Sequence, residues 1–590
     1  MPRIAVIDRE LCTKEKCGYQ CLKVCPPVRM GVEAIVAGKD GFPVISELLC
    51  TGCGLCPKKC PTHAIKIVNL PEETGLLVFQ YGANSFRLFN APLPKPGCVV
   101  GLLGSNGMGK STAVRLLCNE LTPNFGIYDR KLSPEEFHAR IKGHPELQNY
   151  FSSILRGLKV SHKPQNVDAI PEFFSGRVID LLKRVDERGK LQEGMRLFEL
   201  DKIADHDVKS LSGGELQHLA ICAAWLKDAD IYFFDEPSSY LDIEQRLRAA
   251  QHIKNLALSE GKSVVVVEHD LAVLDYLSDH VHIFYGEKGA FGVVSALKGV
   301  RNGINEFLEG YLREENVRFR PSEIRFEITG AGEEREKAPV AYSWDFMRKT
   351  YPSFSFSCEP GEIRKGEVIG IIGPNAIGKS TFIRLLAGVE KPDEGEAAAR
   401  LRVSYKPQYL KSDFVGTVTE LVMSSQLDQT LFEEVKRRLE LADLMLKEVQ
   451  HLSGGELQRV AIAMAICRDA DVYLLDEPSA FLDVEQRLHF ASLLKRLIEA
   501  TEKTAFVVDH DLLLVDSVAS RLMVFEGVSS VKGFAAAPVS KRAGMNRFLS
   551  RVGITLRRDK ETGRPRVNKP GSQMDAEQKA AGEYYYYSRN

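Results

Sequence analysis

The sequence predicts an α/β protein in which two similar domains follow one another behind a small, cysteine-rich α+β domain. Three observations indicate this organisation. Eight of the thirteen cysteines lie within residues 12–60, a glycine-rich loop with a lysine occurs twice after an apolar run, and several strings recur at one constant offset. With 590 residues, the chain has room for about three to five domains of common size.

The composition is that of an ordinary globular protein. Hydrophobic residues make up 44% and charged residues 27%, with a formal net charge of −1, so there is no overall attraction to nucleic acid or lipid. The N-terminus lacks the apolar segment of a signal peptide, and no uncharged apolar run approaches the roughly 20 residues that cross a bilayer. We therefore expect a soluble, cytoplasmic protein with no membrane domain of its own.

The first 70 residues contain two runs of four cysteines, each followed by proline. The runs are Cys12, Cys17, Cys21 and Cys25, then Cys50, Cys53, Cys56 and Cys60. The second run has the spacing of two-cluster ferredoxins, in which the fourth cysteine ligates the other cluster. This ferredoxin-like resemblance implies one [4Fe–4S] cluster on Cys12, Cys17, Cys21 and Cys60 and another on Cys50, Cys53, Cys56 and Cys25.

A zinc ribbon is the alternative reading of these cysteines, and two crossed runs of this kind fit it poorly. The clusters could serve electron transfer or the folding and docking of a domain too small to be stable alone. The other five cysteines are scattered singly, which predicts small buried hydrophobic side chains.

From residue 71 onward the sequence repeats itself. The string LSGGELQ at residues 211–217 recurs at 452–458, DEPS at 235–238 recurs at 476–479, and HD at 269–270 recurs at 510–511. All three pairs are offset by 241 residues, which predicts two homologous domains.

Each repeat contains a P-loop sequence between an apolar strand and a helix. The first loop consists of Gly104, Ser105, Asn106, Gly107, Met108, Gly109, Lys110, Ser111 and Thr112, and the second of Gly373, Pro374, Asn375, Ala376, Ile377, Gly378, Lys379, Ser380 and Thr381. In such loops backbone N–H groups face the phosphates, the lysine reaches the outer phosphates and the serine ligates Mg²⁺.

A second pair of strands ends in acidic dipeptides, Asp235-Glu236 and Asp476-Glu477. A carboxylate at the end of such a strand suits Mg²⁺, and the glutamate next to it suits a base that activates water.

Together these strings resemble the ABC ATPase superfamily over residues 71 to about 535, which implies ATP hydrolysis at two sites. In that superfamily the LSGGELQ-type signature of one domain closes the ATP site of the other. The resemblance therefore implies that Ser453, Gly454, Gly455 and Glu456 complete the site on Lys110, and that Ser212, Gly213, Gly214 and Glu215 complete the site on Lys379.

The same resemblance implies roles for further residues. Gln165 and Gln408 would contact Mg²⁺ and the attacking water, Glu236 and Glu477 would be general bases, His269 and His510 would contact the γ-phosphate, and Tyr81 or Phe86 and Tyr351 or Phe354 would stack on adenine. The sequence leaves the choice within each aromatic pair open.

One loop position differs between the repeats, where Ala376 replaces Gly107. If this position requires a positive φ, alanine carries strain of order 1 kcal/mol. We therefore expect both loops to bind ATP and the two sites to turn over unequally.

The order of parts is similar to family E of the ABC ATPases, the ribosome recycling factors also called the RNase L inhibitor family. Over the whole chain, this resemblance implies that closure of two head-to-tail ATPase domains moves the iron–sulfur domain and splits ribosomes into subunits. The implied partners are the ribosome, especially its small subunit and rRNA, and a release factor or its stalled-ribosome paralogue. The chain would act as a monomer whose two ATPase domains pair with each other.

Two other functions remain alternatives: an ATP-dependent iron–sulfur carrier or redox protein, and an ABC ATPase of DNA repair. DNA-repair members usually carry long coiled coils or zinc modules between the glutamine loop and the signature. Only 46 residues separate Gln165 from Ser212, which disfavours that alternative.

The predicted domains are an iron–sulfur domain at 1–70, an ATPase domain at 71–295, a hinge at 296–330, an ATPase domain at 331–536, and a second hinge with a tail at 537–590. The first ATPase domain has a predicted helix–loop–helix insert at about 129–157, which begins with a capping box at residues 133–136. The insert either packs on its own domain or docks on the ribosome, and the family resemblance favours docking.

Residues 541–570 contain ten Lys and Arg residues against two acidic ones. We interpret this segment as a strap across the domain interface, with RNA contact as the alternative. For the tyrosines at 584–587 the sequence predicts no role.

Overall fold

The computed structural model describes residues 3–70, 75–324, 326, 338–395, 402–408 and 414–586. The chain forms two compact units. The first comprises Met1–Pro237, His252–Glu268 and Leu277–Ser322, and the second comprises Ser238–Gln251, His269–Tyr276 and Glu323–Asn590. The start of the first ATPase domain at 71, the end of the first hinge at 327–330 and the tyrosine at 587 lie outside the described residues.

The cysteine-rich domain is built from two short antiparallel sheets and four single-turn helices. Strand Arg3–Ile7 pairs with Ile65–Asn69, and Ile35–Ala37 pairs with Pro43–Ile45. The helices are Lys14–Cys17, Gln20–Val24, Pro26–Arg29 and Leu55–Lys59. Three cysteines (Cys21, Cys25 and Cys56) belong to its buried core, so the sulfur atoms occupy the place of a hydrophobic interior.

The first ATPase repeat is organised around one large mixed sheet. Its strands lie in the order Leu77–Gln80, Arg87–Phe89, Phe291–Val294, His280–Glu287, Val99–Gly104, Ser263–Val267, Ile231–Asp235 and Val160–Lys163, with Lys298–Gly299 paired to His280–Glu287. The central strands are parallel, and Val99–Gly104 and Ile231–Asp235 are buried throughout, as expected for a sheet covered on both faces.

The second repeat has the same strand order. Its sheet runs Met347–Thr350, Ser355–Cys358, Lys532–Ala535, Arg521–Val528, Val368–Ile372, Thr504–Val508, Val472–Asp476 and Val403–Lys406, with Val539–Ser540 paired to Arg521–Val528. A separate pair is formed by Val340–Trp344 and Gly361–Arg364. The matching topology confirms the α/β fold class that the internal repeat predicts.

Helices connect these strands. In the first repeat they are Lys110–Leu117, Pro134–Arg140, Pro145–Leu155, Ile170–Phe173, Val178–Val185, Leu191–Leu197, Gly213–Trp225, Ile243–Leu258, Leu271–Leu277 and Val300–Glu309, with 3-10 turns at Asp201–Ile203 and Val208–Ser210. In the second repeat they are Lys379–Leu386, Val418–Met423, Gln429–Arg438, Gly454–Ile466, Val484–Thr501, Leu512–Val518, Lys541–Val552 and Gln573–Ala581, with 3-10 turns at Ala442–Leu444 and Val449–His451. Within the described ranges, none of the helices combines the length and the apolar character that a bilayer crossing requires.

Asn84 joins the cysteine-rich domain to the first ATPase repeat. Its side-chain amide donates to the carbonyl oxygens of Ala5 and Ile45 at 3.0 and 2.9 Å and accepts from the Ile45 N–H at 2.7 Å. Its own carbonyl accepts from the Ile7 N–H at 2.9 Å. Asn84 is buried and has a φ of 50°, a conformation that asparagine tolerates better than most residues.

The predicted insert forms two helices, Pro134–Arg140 and Pro145–Leu155, as the capping box and the Gly-His-Pro break at 143–145 indicate. It packs on its own domain through buried Ile141, Leu147 and Phe151. The Tyr150 hydroxyl also donates to the Leu117 carbonyl at 2.7 Å. One face of the insert thus packs on its own domain, as one of the two alternatives expected. Docking on the ribosome stays a proposal for the opposite face.

Replacing Ser133 by alanine is expected to destabilise the first insert helix by about 1 kcal/mol. Ser133 Oγ accepts from the Glu136 N–H at 3.2 Å, and Glu136 accepts from the Ser133 N–H at 3.0 Å. Hydrogen exchange of the amides at 135–140 measures the loss of protection. Ser153→Ala is the matched control because its hydroxyl only bonds back to the Asn149 carbonyl; equal exchange in both variants would contradict the expectation.

The segment between Gln165 and Ser212 contains only short helices. The longest, Val178–Val185, has eight residues, so no coiled coil interrupts the first repeat here. This observation strengthens the case against the DNA-repair alternative.

The basic segment at 541–570 is folded rather than loosely solvated. It contains the helix Lys541–Val552 and the hairpin Leu556–Arg558 with Pro565–Val567. Arg564 is fully buried, and the tyrosine tail returns to the hairpin as a bridge between Leu556 and Tyr585. Tyr585, one of the tyrosines for which the sequence predicts no role, is buried and packs against this hairpin.

None of the thirteen cysteines, all of which lie in described residues, forms a disulfide. Of the five scattered ones, Cys118, Cys222, Cys358 and Cys467 are buried, as predicted, and Cys98 is half-buried. Burial raises the pKa of the Cys358 and Cys467 thiols to about 12, so these side chains behave as small apolar groups.

Candidate functional site: two phosphate loops and a thiol-lined head

Both phosphate loops leave the carboxyl end of a buried central strand and enter a helix. Gly109 and Gly378, with φ of 90° and 98°, precede the helices Lys110–Leu117 and Lys379–Leu386. Positive φ favours glycine here and turns successive N–H groups toward one side of the loop. Each loop is therefore shaped for an anion at a helix N-terminus.

The loop lysines lie across their own loops. Lys110 Nζ donates to the Gly104 and Ser105 carbonyls at 2.6 and 3.0 Å. Lys379 Nζ makes the corresponding bonds to Gly373 and Pro374 at 2.8 and 2.6 Å. Burial lowers the pKa of Lys379 to about 8, although Glu477 and Asp242 oppose the shift.

Ala376 has a φ of 54° and Gly107 a φ of 80°, so this loop position requires the left-handed region in both repeats. The Ala376 carbonyl accepts from the Ser530 N–H at 2.9 Å, just as Gly107 accepts from Gly289 at 3.2 Å. The second loop therefore holds alanine in a strained conformation through a contact that both repeats share.

The substitution Ala376→Gly is expected to relieve strain of about 1 kcal/mol and to raise turnover at the second site a few-fold. Single-turnover hydrolysis in a Glu236→Gln background measures this site. Gly107→Ala in a Glu477→Gln background is the matched inverse and should lower turnover, because its Cβ would also approach the Lys288 side chain. Equal turnover in the two background variants and the two double variants would show that strain at Ala376 does not make the sites unequal.

Asp235 and Asp476 end buried strands and lie beside Ser111 and Ser380. Burial raises the pKa of both carboxyl groups, that of Asp476 to about 6, and the nearby serine hydroxyls partly oppose the shift. Within the part of the chain that the structure describes, neither carboxylate oxygen of Asp476 has a hydrogen-bond partner. Buried oxygens with this unmet capacity, next to a serine hydroxyl, fit a hard divalent cation such as Mg²⁺.

The two predicted bases lie within reach of the predicted glutamines. Gln165 Nε2 donates to Glu236 Oε1 at 2.6 Å, and Gln408 Nε2 donates to Glu477 Oε1 at 2.6 Å. His510 Nε2 lies 3.4 Å from Glu477 Oε1. Each glutamate and glutamine therefore form one polar group, and their separate roles as base and as water or Mg²⁺ contact stay predictions.

The charge state of Glu477 follows from its surroundings. Burial raises the pKa of this carboxyl group, but hydrogen bonding to His510 and the charges of Lys379 and Arg246 outweigh burial and bring the pKa to about 2. Glu477 is therefore ionised near neutral pH, and its negative charge is able to orient water.

Sequence reasoning missed the groups that hold the two glutamates. Glu236 and Glu477 have φ of 48° and 47°. Gln217 Nε2 donates to the Glu236 carbonyl at 2.8 Å, and the buried Lys163 donates to the carbonyls of Asp235 and Glu236 at 2.8 and 3.2 Å.

The second repeat holds Glu477 in the same way, through Lys406 and Gln458. Burial lowers the pKa of Lys163 and Lys406 to about 8. The lysines recur in the string KPQ and the glutamines Gln217 and Gln458 recur at the end of LSGGELQ. This recurrence is the sequence signal that could have revealed both pairs.

The signature sequences begin long helices. Ser212 and Ser453 cap Gly213–Trp225 and Gly454–Ile466, and each serine forms a capping box with the glutamate three residues on, Glu215 or Glu456. The serine and the glycines after it thus lie at the positive end of a 13-residue helix, where an anion is stabilised.

The aromatic candidates differ between the repeats. Tyr81 is 49% exposed, and its hydroxyl lies 3.1 Å from Thr112 Oγ1, whereas Phe86 packs against Gly109. In the second repeat the Tyr351 hydroxyl donates to Glu390, and its ring stacks on Phe354 with centroids 6.3 Å apart. All four lie near the phosphate loops, and the choice within each pair stays a prediction.

A segment of the first repeat contacts the second phosphate loop within the second compact unit. Asp242 Oδ2 accepts from the Asn375 N–H at 2.9 Å, and Asn375 Nδ2 donates to the Tyr240 carbonyl at 3.3 Å. Arg246 donates to the His510 carbonyl at 3.3 Å and pairs with Asp270 at 3.1 Å. Sequence reasoning missed this segment, although Asp242 recurs at the constant offset as Asp483.

In the cysteine-rich domain, residues 3–70, which we call the head, the structure brings together the two predicted ligand sets, each of which combines three cysteines of one run with the fourth of the other. Cys12, Cys17, Cys21 and Cys60 line one small cavity. Burial, with smaller contributions from Cys17 and Cys60, raises the pKa of Cys21 to about 11.

In the other set, burial and the neighbouring Cys50, Cys53 and Cys25 raise the pKa of Cys56 to about 12. Thiols with such pKa values become thiolates when a metal binds them. Four converging sulfur atoms in each set fit an iron–sulfur cluster.

The fold and these sites define a tandem ABC-type ATPase with a thiol-lined iron–sulfur domain. The ABC transporter family model matches residues 94–239 and 360–480, and the 4Fe-4S binding domain model matches residues 43–66. An uncharacterized ABC transporter ATP-binding protein of Methanocaldococcus jannaschii is 51% identical over 99% of this chain and 97% of its own. Translation initiation factor RLI1 of Saccharomyces cerevisiae is 44% identical over 99% of this chain and 98% of its own.

Solved structures of archaeal ABCE1 are also similar to this chain over most of its length. Archaeal ABCE1 in a model of the ribosome-bound protein with Pelota superposes with a TM-score of 0.91 at 53% identity, over 99% of each chain. Archaeal ABCE1 in complex with the ribosomal stalk protein aP1 superposes with a TM-score of 0.83 at 53% identity, over 88% of this chain and 100% of that one. The chain belongs to family E of the ABC ATPases, the RNase L inhibitor family, and is an ATPase with an iron–sulfur domain.

Proposed function

We propose that this protein is an ATP-driven ribosome recycling factor that splits ribosomes into subunits. The observation that carries the proposal is the full-length similarity to ribosome-bound archaeal ABCE1, which includes the head, both ATPase repeats and the C-terminal segment. The proposed partners are the small ribosomal subunit with its rRNA, a release factor or its stalled-ribosome paralogue such as Pelota, and the ribosomal stalk.

Two ATP sites are proposed, each closed by the signature of the other repeat. Ser453 to Glu456 complete the site on Lys110, and Ser212 to Glu215 complete the site on Lys379. Closure over two ATP molecules would supply the force that moves the head.

Hydrolysis at each site is assigned to one polar group. Glu477 orients and deprotonates the attacking water, Gln408 holds Glu477 at 2.6 Å, and His510 contacts the γ-phosphate. Glu236, Gln165 and His269 have the same roles at the other site. Asp235 with Ser111 and Asp476 with Ser380 would hold Mg²⁺, which neutralises phosphate charge when bound.

We assign two [4Fe–4S] clusters to the head, held by Cys12, Cys17, Cys21 and Cys60 and by Cys50, Cys53, Cys56 and Cys25. Because Cys21, Cys25 and Cys56 lie in the small buried core, the clusters serve folding and rigid docking. An iron–sulfur carrier would release iron to an apo-acceptor protein during ATP turnover. A protein whose clusters are structural would keep its iron, so the iron content after turnover distinguishes the two functions.

The insert offers RNA contacts. The insert exposes Arg140 and Lys142, with Glu135 and Glu146 exposed nearby, and the two cations are suited to rRNA phosphates. The exposed face of the insert is the proposed docking element.

Sedimentation tests the proposed function. Ribosomes incubated with the protein, ATP and a Pelota-type factor should separate into subunits, and the Glu236→Gln/Glu477→Gln variant should remain bound to the small subunit. Intact ribosomes after incubation with a protein that hydrolyses ATP normally would refute the proposal.

A further inference from the structure

Two buried aspartates occupy matched positions in the repeats. Asp275 follows His269 by six residues, and Asp516 follows His510 by six. Their side chains are 1% and 5% exposed. The roles proposed above for Asp235 and Asp476 leave these two carboxylates unused.

Each aspartate lies in a short helix that starts directly after the histidine. The helices are Leu271–Leu277 and Leu512–Val518. Asp270 and Asp511, which follow the histidines, cap them by accepting two backbone hydrogen bonds from the first turn. Because capping fixes the chain at the helix start, a displacement of either helix displaces its histidine.

Asp275 is bound by two arginines of the C-terminal hairpin. Arg566 donates through Nε and Nη2 at 2.7 and 2.9 Å, which is the bidentate geometry of a strong charge-assisted pair. Arg564, fully buried, adds a bond from Nη1 at 3.1 Å. Asp275, Arg564 and Arg566 all belong to the second compact unit.

Asp516 is bound by other groups of the same C-terminal segment. The Tyr585 and Tyr586 hydroxyls both donate to its carboxylate, the second at 3.0 Å. Lys541 Nζ donates to its backbone carbonyl at 2.8 Å, and the Arg558 guanidinium lies 3.7 Å from Oδ2. The Arg558 guanidinium also lies 4.1 Å from the centroid of the Tyr586 ring.

One small backbone ladder carries both sets of groups. Strand Leu556–Arg558 pairs with Pro565–Val567, which contains Arg566. On its other side, the Leu556 N–H donates to the Tyr584 carbonyl at 2.7 Å and the Tyr586 N–H donates to the Leu556 carbonyl at 3.0 Å. The groups that bind Asp275 and those that bind Asp516 are therefore fixed to one another.

We propose that Asp275 and Asp516 are positioning residues for His269 and His510, and that residues 556–586 couple the two ATP sites by binding both. A buried carboxylate is stable only while its partners stay in place, so each helix depends on the C-terminal segment for its position. The inference rests on the proposed roles of the two histidines.

Site-specific turnover without ribosomes tests this inference, so a failure of ribosome splitting does not affect the result. Asp275→Asn is measured in the Glu477→Gln background, where hydrolysis depends on Glu236, and Tyr585→Phe in the Glu236→Gln background. In each case kcat should fall about tenfold, with little change in KM or in binding of a fluorescent ATP analogue, as expected for a misplaced catalytic group. Coupling predicts that Tyr585→Phe also lowers kcat in the Glu477→Gln background, by a smaller factor.

The matched control is Arg551→Gln, an exposed residue of the same segment, which should leave kcat unchanged. If Asp275→Asn does not fold, Arg566→Lys and Arg566→Gln test the positioning role of Asp275 instead. Lysine keeps the positive charge beside Asp275, so Arg566→Lys should retain more turnover than Arg566→Gln. Unchanged kcat in folded variants, or a loss of nucleotide affinity as large as the loss in kcat, would overturn the positioning role. Absence of the cross-effect would overturn the coupling.

Discussion

Replacing Glu236 and Glu477 together by glutamine is expected to lower ATP hydrolysis at least about 100-fold, the usual contribution of a general base. Glutamine keeps the size of the side chain and an oxygen that accepts from Gln165 or Gln408, but it removes the negative charge that orients water. Nucleotide binding should persist because Lys110 and Lys379 are unaffected. Phosphate release and binding of a fluorescent ATP analogue measure the two effects.

The control for this prediction is Glu433→Gln, which removes an exposed carboxylate whose partner is Lys436 on the same helix. It should hydrolyse ATP at the normal rate. Each single substitution, Glu236→Gln or Glu477→Gln, should leave hydrolysis at the other site. Normal phosphate release by the double variant would show that the glutamates are not the bases.

Cys56→Ser is expected to remove the cluster held by Cys50, Cys53, Cys56 and Cys25 and to unfold much of the head. Metal binding supplies on the order of 10 kcal/mol in small structural domains, and Cys56 is one of three cysteines in the buried core of this small domain. Iron content, visible absorbance and hydrogen exchange of residues 3–70 measure the loss.

The matched control is Cys98→Ser, because Cys98 is half-buried and belongs to neither set. It should keep the iron content and the absorbance of the unmodified protein. A Cys56→Ser variant with full iron content would contradict the assigned ligand set.

The sequence predicted those parts of the fold and site that are local in the chain. The phosphate loops, the acidic strand ends and the capping box at Ser133 each depend on a few adjacent residues, and the structure has them where the strings are. The repeat offset added the long-range information that both domains share one topology. Ala376 also has the positive φ that its alignment with Gly107 predicts.

What the sequence did not predict depends on contacts between distant residues. Lys163 bonds to a carbonyl of Glu236, 73 residues away in the chain, only because their strands are neighbours in the sheet. In the same way, Arg566 bonds to Asp275 across 291 residues, so a segment interpreted as a basic strap holds a charged pair in which Arg564 is also fully buried. Local composition indicates solvation for such runs and carries no information about a remote carboxylate.

The attachment of the head at Asn84 has a mechanical consequence. Asn84 hydrogen-bonds the first repeat to the cysteine-rich domain, and it lies in the same turn as Tyr81 and Phe86. A rotation of the head about Asn84 must twist that turn, so the orientation of the head is linked energetically to the positions of Tyr81 and Phe86. If Tyr81 or Phe86 stacks on adenine as proposed, reciprocity requires that any partner holding the head in one orientation also changes the affinity of the first site for its nucleotide.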